Sequence, residues 1–222
     1  MTGKLSFGVL LLAVAAAHGQ LSYSIQNNAA TVIGYVGSGA VDIPSTYEGY
    51  SVTAIGAGAF ANNTGLTGVT IADSVTSIGD SAFDGCANLG SLTLGSGVTS
   101  IGDSAFGDSG LSSVTIPDKV TTIGANAFAY CPKLTSVTLG SGVTSIGDYA
   151  FYECGALSSA PIPSGVASIG LLAFANTKLT SVTVPSSVTS LGGGAFAACA
   201  SLAAITVDTA NPAYSSLQWA VV

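Results

Sequence analysis

A phrase of about 23 residues recurs seven times in this chain, and that recurrence constrains the fold more than any single residue does. It reads V-T-S-I-G-D-x-A-F-x-x-C-x-x-L-T-S-V-T-I-P-x-S, with copies starting at Val52, Val75, Val98, Val120, Val143, Val166 and Val188. A period in the twenties marks a solenoid: each unit is too small to hold a dry interior alone and buries its apolar side against its neighbours.

Aligning the copies assigns a job to each column. Phe60, Phe83, Phe106, Phe128, Phe151, Phe174 and Phe196 form one column, and each follows an Ala. A residue this regular in a stack is expected to line the interior, where full burial of a Phe contributes roughly 1.5–3 kcal/mol. The Leu column runs from Leu66 through Leu89, Leu111, Leu134, Leu157 and Leu179 to Leu202. The Gly column (Gly56, Gly79, Gly102, Gly124, Gly147, Gly170, Gly192) implies either positive φ or close backbone approach. Triplets such as Val69-Thr70-Ile71 and Val137-Thr138-Leu139 alternate apolar, polar, apolar and read as strands with Thr facing out. Ala160-Pro161-Ile162 breaks that pattern and removes a ladder donor. Asp-x-Ala-Phe, as at Asp80 to Phe83, reads as one capped helical turn.

Ahead of the repeats, Lys4, the apolar run Leu5 to Ala17 and the small residues around Ala17-His18-Gly19 have the form of a secretory signal peptide. Cleavage after Ala17 or after Gly19 both satisfy the small-residue rule, and the apolar run is too short to cross a bilayer. Cleavage after Gly19 removes the chain's one His and Lys4, leaving three Lys and no Arg against 11 acids, a formal balance of −8. Phosphate backbones and anionic membrane surfaces both demand clustered cations, so nucleic acid and polybasic membrane binding are excluded. No membrane insertion is expected after signal cleavage. Without His, the exported chain lacks the ordinary base that activates Ser or Cys, and neither catalytic residues nor a cofactor are expected.

The recurring phrase, across residues 52–207 or about 70% of the chain, resembles the BspA-like leucine-rich repeat family. Tyr35-Val36-Gly37-Ser38-Gly39 and Val41-Asp42-Ile43-Pro44 resemble its N-terminal capping segment, and Asn211-Pro212-Ala213-Tyr214-Ser215-Ser216 its N-P-x-Y-S-S phrase. The likeness stops at Leu217-Gln218-Trp219, where the family implies a further hairpin. The expected organisation is therefore a signal peptide (1–19), an N-terminal cap (20–51), seven repeats (52–207) and a truncated C-terminal cap (208–222). The expected fold is a leucine-rich repeat solenoid, mostly β with short helical turns and one parallel strand per repeat. Secretion or cell-surface display, and recognition or adhesion to a protein or glycan, are what the resemblance implies.

Few residues stand out from the columns. Tyr130, Tyr149, Tyr152 and Glu153 replace Ala, Ser, Asp or Gly in the turns of copies four and five. Tyr supplies large contact area at small entropy cost, so this group is the candidate partner contact; packing between turns is the alternative reading. Cys86, Cys131, Cys154 and Cys199 share one column, and only Cys131 and Cys154 lie on adjacent copies, the one candidate disulfide pair. Four buried thiols are the favoured reading, and a linear column without His offers no zinc site. Stacked carboxylates, Asp80 with Asp103 and Asp84 with Asp108, could form an acid pair or a weak calcium site, but Asp in turns usually caps or solvates. Asn62-Asn63-Thr64 is a glycosylation sequon in a eukaryotic source. Two Thr ladders, one through Thr76 and Thr99 and the other through Thr93 and Thr115, raise ice binding or a purely structural extracellular role as the alternative function.

Overall fold

The computed structural model describes residues 20–215, and both the expected export segment and the chain beyond Ser215 lie outside them. The described residues form a β-solenoid. An antiparallel pair, β1 (Gln20–Gln26) and β2 (Ala29–Val36), closes the N-terminal end. Next come β3 (Gly39–Ile43), β4 (Thr46–Tyr47), β5 (Tyr50–Ile55) and β6 (Leu66–Ile71). The coils continue through β7 (Ser77–Ile78), β8 (Ser91–Thr93), β9 (Ser100–Ile101), β10 (Ser113–Thr115), β11 (Thr122–Ile123) and β12 (Ser136–Thr138). The last are β13 (Ser145–Ile146), β14 (Ser168–Ile169), β15 (Ser181–Val184), β16 (Ser190–Leu191) and β17 (Ala204–Val207).

Most coils thus contribute two parallel strands rather than the single one expected. The Ser-Ile segments join into one continuous sheet, β1-β2-β5-β7-β9-β11-β13-β14-β16, in which small or hydroxyl residues stack on one another and Ile or Leu stacks on Ile. The Val-Thr-Ile segments form three shorter sheets, β3-β6-β8, β10-β12 and β15-β17. Pro161 accounts for the second break, since copy five keeps only the isolated bridge Ser136–Ser159. The first falls where copy three is one residue shorter between its Phe and Leu.

The expected helical turn is absent, and the backbone shows why. In every coil the residues two before and two after the Phe have positive φ, for example Ser81 (52°), Tyr149 (58°), Asn62 (59°) and Glu153 (57°). Left-handed residues placed this way aim alternate N–H groups out of the coil instead of back along a helix. Asn126, Phe128 and Tyr130 donate to the carbonyls of Asp148, Ala150 and Tyr152 at 2.9, 2.8 and 2.8 Å. The residues between them close the turn internally, as Ala129 N–H does on Asn126 O at 3.0 Å. The turn is a third ladder between coils, whose alternate N–H groups donate to the coil that follows.

The phenylalanines fill the space between the ladders. Phe60 through Phe174 are at most 2% exposed, and successive rings stack with centroids 4.6 to 5.6 Å apart from Phe60 to Phe196. The Ala before each Phe is buried, which explains its constancy. Close approach, not positive φ, explains the Gly column. A Cβ on Gly147 would lie 2.7 Å from the Ala125 nitrogen and the Gly124 carbonyl carbon.

The cysteine column also faces inward, and all four cysteines are free thiols. Each thiol donates to the carbonyl of the preceding coil's Phe, Cys154 to Phe128 at 3.0 Å and Cys131 to Phe106 at 3.2 Å. In-register stacking keeps equivalent side chains ~4.8 Å apart, whereas a disulfide draws the Cβ atoms to ~3.8 Å. Cys131 and Cys154 accordingly sit as free thiols, and the neighbouring Cys131 thiol, then burial, raises the Cys154 pKa. Ser109 and Thr177 hold the same column in the trimmed coils and hydrogen-bond Cys131 and Cys199 at 3.2 and 3.1 Å.

Two outcomes test this packing. Gly147→Ala should lower stability by about 1–3 kcal/mol, while Gly155→Ala, where a Cβ meets nothing within 4 Å, should leave the melting temperature almost unchanged. Thiol titration should find no reactive cysteine in the native chain and four in denaturant; two would reveal a bridge. Burial raises the Cys86 thiol from 9.0 to about 11. Because the folded value is the higher, its contribution is complete below pH 9 and is lost as pH rises toward 11. Cys86→Ser should remove that part of the alkaline decline in melting temperature.

Candidate functional site

The solenoid has a repetitive surface, and many of its polar groups hold coils together. Asp80, Asp103 and Asp148 each use one carboxylate oxygen to accept a backbone N–H from the next coil, at Asp103 (2.9 Å), Ala125 (2.7 Å) and Leu171 (2.7 Å). Asp73 and Asp118 do the same with Ser96 and Ser141 at the opposite corner, and these bonds hold both carboxyls below the usual aspartate value. The stacked Asp80–Asp103 pair is thus a structural ladder. No cluster of three or more His, Cys, Asp or Glu exists among the described residues.

The Thr ladder of the Val-Thr-Ser-Ile segment is likewise engaged. Thr76 donates to Thr53 O at 3.1 Å, Thr99 to Thr76 O at 2.9 Å and Thr144 to Thr121 O at 3.1 Å. Beside it, Ser145, Asp148, Ser168, Leu171 and Ser190 line an open groove of about 460 Å³.

Tyr130, Tyr149 and Tyr152 come together on the turn face. Tyr152 stands edge-on to Tyr130 (centroids 5.5 Å, 87°) and to Tyr149 (5.5 Å, 85°). Glu153 accepts from the Asn176 amide at 3.0 Å. Burial first, then the Glu153 charge and Tyr130, raise the Tyr152 hydroxyl. Tyr130 is 49% exposed. Asn176 was not evident as part of this cluster from sequence, although it occupies the same column as Tyr130 and Glu153, two residues after each Phe.

Three of these residues sit where side chains are disfavoured. Tyr130 (φ 57°), Tyr149 (φ 58°) and Glu153 (φ 57°) occupy left-handed positions that Gly58, Gly85 and Gly194 fill in other coils. A non-glycine residue there costs roughly 1–2 kcal/mol. Asn62, the sequon residue, is also left-handed and exposed, and its backbone N–H is tied to Asp84 O at 2.7 Å.

The C-terminal phrase has a structural role. Asn211 donates to Pro185 O (2.7 Å) and Val188 O (3.0 Å) and accepts from the N–H groups of Ala213 and Tyr214. The Tyr214 hydroxyl then accepts the N–H of Leu191 at 3.0 Å, standing in for a next strand on β16. Among the described residues no helix is long and apolar enough to cross a membrane.

Comparison with known proteins agrees with this geometry. The BspA type leucine rich repeat region matches residues 53–178 and 121–214, in six copies. A leucine rich cell surface protein of Faecalibacterium prausnitzii is 33% identical across 93% of this chain, with a TM-score of 0.77; this chain spans 56% of its length. A leucine rich repeat protein of T. pallidum is 30% identical across 82% of this chain and 87% of its own, with a TM-score of 0.75. The pneumococcal vaccine antigen PcpA, 21% identical over 94% of this chain and 53% of its own, shares the fold at a TM-score of 0.59. No curated protein matches. The chain belongs to the BspA type leucine rich repeat family.

Proposed function

We propose that this chain is an exported, non-enzymatic recognition module that binds a protein or glycan through the turn face of its fourth and fifth coils. The tyrosine cluster carries the reading. Elsewhere the turn positions hold mostly small or short polar residues, yet here Tyr130 and Tyr149 occupy left-handed positions with bulky rings. Tyrosines clustered this way on a surface form binding hot spots. Cell-surface display of a Faecalibacterium relative supports an extracellular setting. The ice-binding alternative is weaker, because the Thr76, Thr99 and Thr144 protons already point into backbone carbonyls. Pro161 also interrupts the second Thr ladder.

The test is a glycan array and a pull-down with the mature chain, repeated with Tyr130, Tyr149 and Tyr152 changed together to Ser. Binding should fall roughly 30-fold or more while the melting temperature changes little. Undiminished binding would remove the cluster from the recognition surface. Thermal hysteresis in the purified chain would instead favour the ice-face alternative.

A further inference from the structure

The tyrosine cluster is one end of a longer strip whose chemistry points to a class of ligand, an inference that rests on the recognition reading above. The positions one and two residues after each Phe lie on the same turn, one set per coil. From the second coil to the fifth they carry Asp84, Asp108, Tyr130, and then Tyr152 with Glu153. Acids therefore flank the aromatics from both sides. None of Lys119, Lys133 and Lys178 falls in either column.

Two features of the strip favour a cationic ligand. Burial raises the Asp84 carboxyl, and the negative charge of Asp108 raises it further. Unlike Asp80, Asp103 and Asp148, whose oxygens accept backbone N–H groups from the next coil, this pair faces its own repulsion. At the other end, Tyr130 and Tyr149 each stand at right angles to Tyr152, making an aromatic corner beside the Glu153 carboxylate. A ring face next to an anion attracts a guanidinium or ammonium head.

We propose that the strip of Asp84, Asp108, Tyr130, Tyr152 and Glu153 takes an extended, Lys/Arg-rich polypeptide segment lying along the solenoid axis. Three coil steps at ~4.8 Å span about 14 Å, the reach of four or five residues of extended chain. A basic side chain packs against the tyrosine corner, and others meet the carboxylates of the second and third coils. A compact metal ion does not fit this arrangement, since the described residues gather no three ligands at one point. A neutral glycan would leave the Asp84–Asp108 repulsion in place.

The experiment uses fluorescence anisotropy with a labelled oligo-arginine peptide, and oligo-aspartate and Gly-Ser peptides of equal length as controls. The wild-type chain should bind oligo-arginine saturably and the controls not at all. Tyr130→Ser should weaken binding about tenfold, while Tyr130→Phe, which keeps the ring, should retain it. Asp84→Asn with Asp108→Asn should weaken binding and flatten its salt dependence. Asp42→Asn with Glu48→Gln removes the same charge away from the strip and should have little effect. Equal weakening by the off-strip pair, or full binding by Tyr130→Ser, would overturn the proposal by reducing the effect to net charge. If Tyr130→Ser proved unstable, the half-exposed acids would decide alone. Failure with oligo-arginine, in a chain whose glycan or protein binding still depended on the three tyrosines, would sink this inference and leave the recognition reading standing.

Discussion

No coil in this molecule can complete its own hydrogen bonding, because the turn beneath each Phe sends alternate N–H groups into the coil that follows. In an isolated unit those groups would face water, forfeiting the net ~0.5–1.5 kcal/mol that each intramolecular hydrogen bond contributes. The Phe stack has the same logic, since each ring is covered on both faces only by its neighbours. Polar and apolar requirements therefore point to one arrangement. The Gly column follows from it: coils close enough to share hydrogen bonds on three sides leave no room for a Cβ at Gly147.

The architecture was readable because those requirements fall on side chains. Phe and the Ala before it recur in every copy, and that recurrence placed the Phe column from Phe60 to Phe174 in the interior, where the structure has it. The break at Pro161 was legible for the same reason, since a missing N–H is a property of the residue itself. The turn was harder. Its ladder is made by backbone conformation, and Ser, Tyr, Leu and Ala occupy left-handed positions alongside the more telling Gly58, Asn62, Gly85 and Asn126. Asp80 resembled a helix cap, yet its partner lies one coil away at Asp103, which local reading could not reveal.

Of the candidate site, the sequence marked Tyr130, Tyr149, Tyr152 and Glu153 as departures from their columns. It did not show that the three rings meet at right angles, because Tyr149 and Tyr152 lie on opposite sides of Phe151. Nor did it connect Asn176, on the next coil, to Glu153. The fold explains why variation is tolerated there: turn side chains two residues from the Phe project outward while the backbone alone supports the stack. A scaffold that fixes its interior by repetition leaves such positions open to acquire a binding surface.

The claim that neighbouring coils supply one another's interior is tested most directly by Phe128→Ala, followed by hydrogen exchange and urea unfolding. Full burial between Phe106 and Phe151 predicts a loss of about 3–5 kcal/mol, with reduced amide protection in the third and fifth coils as well as the fourth. A loss below about 1 kcal/mol, or exchange confined to the fourth coil, would contradict a shared core and show the coils to be independent.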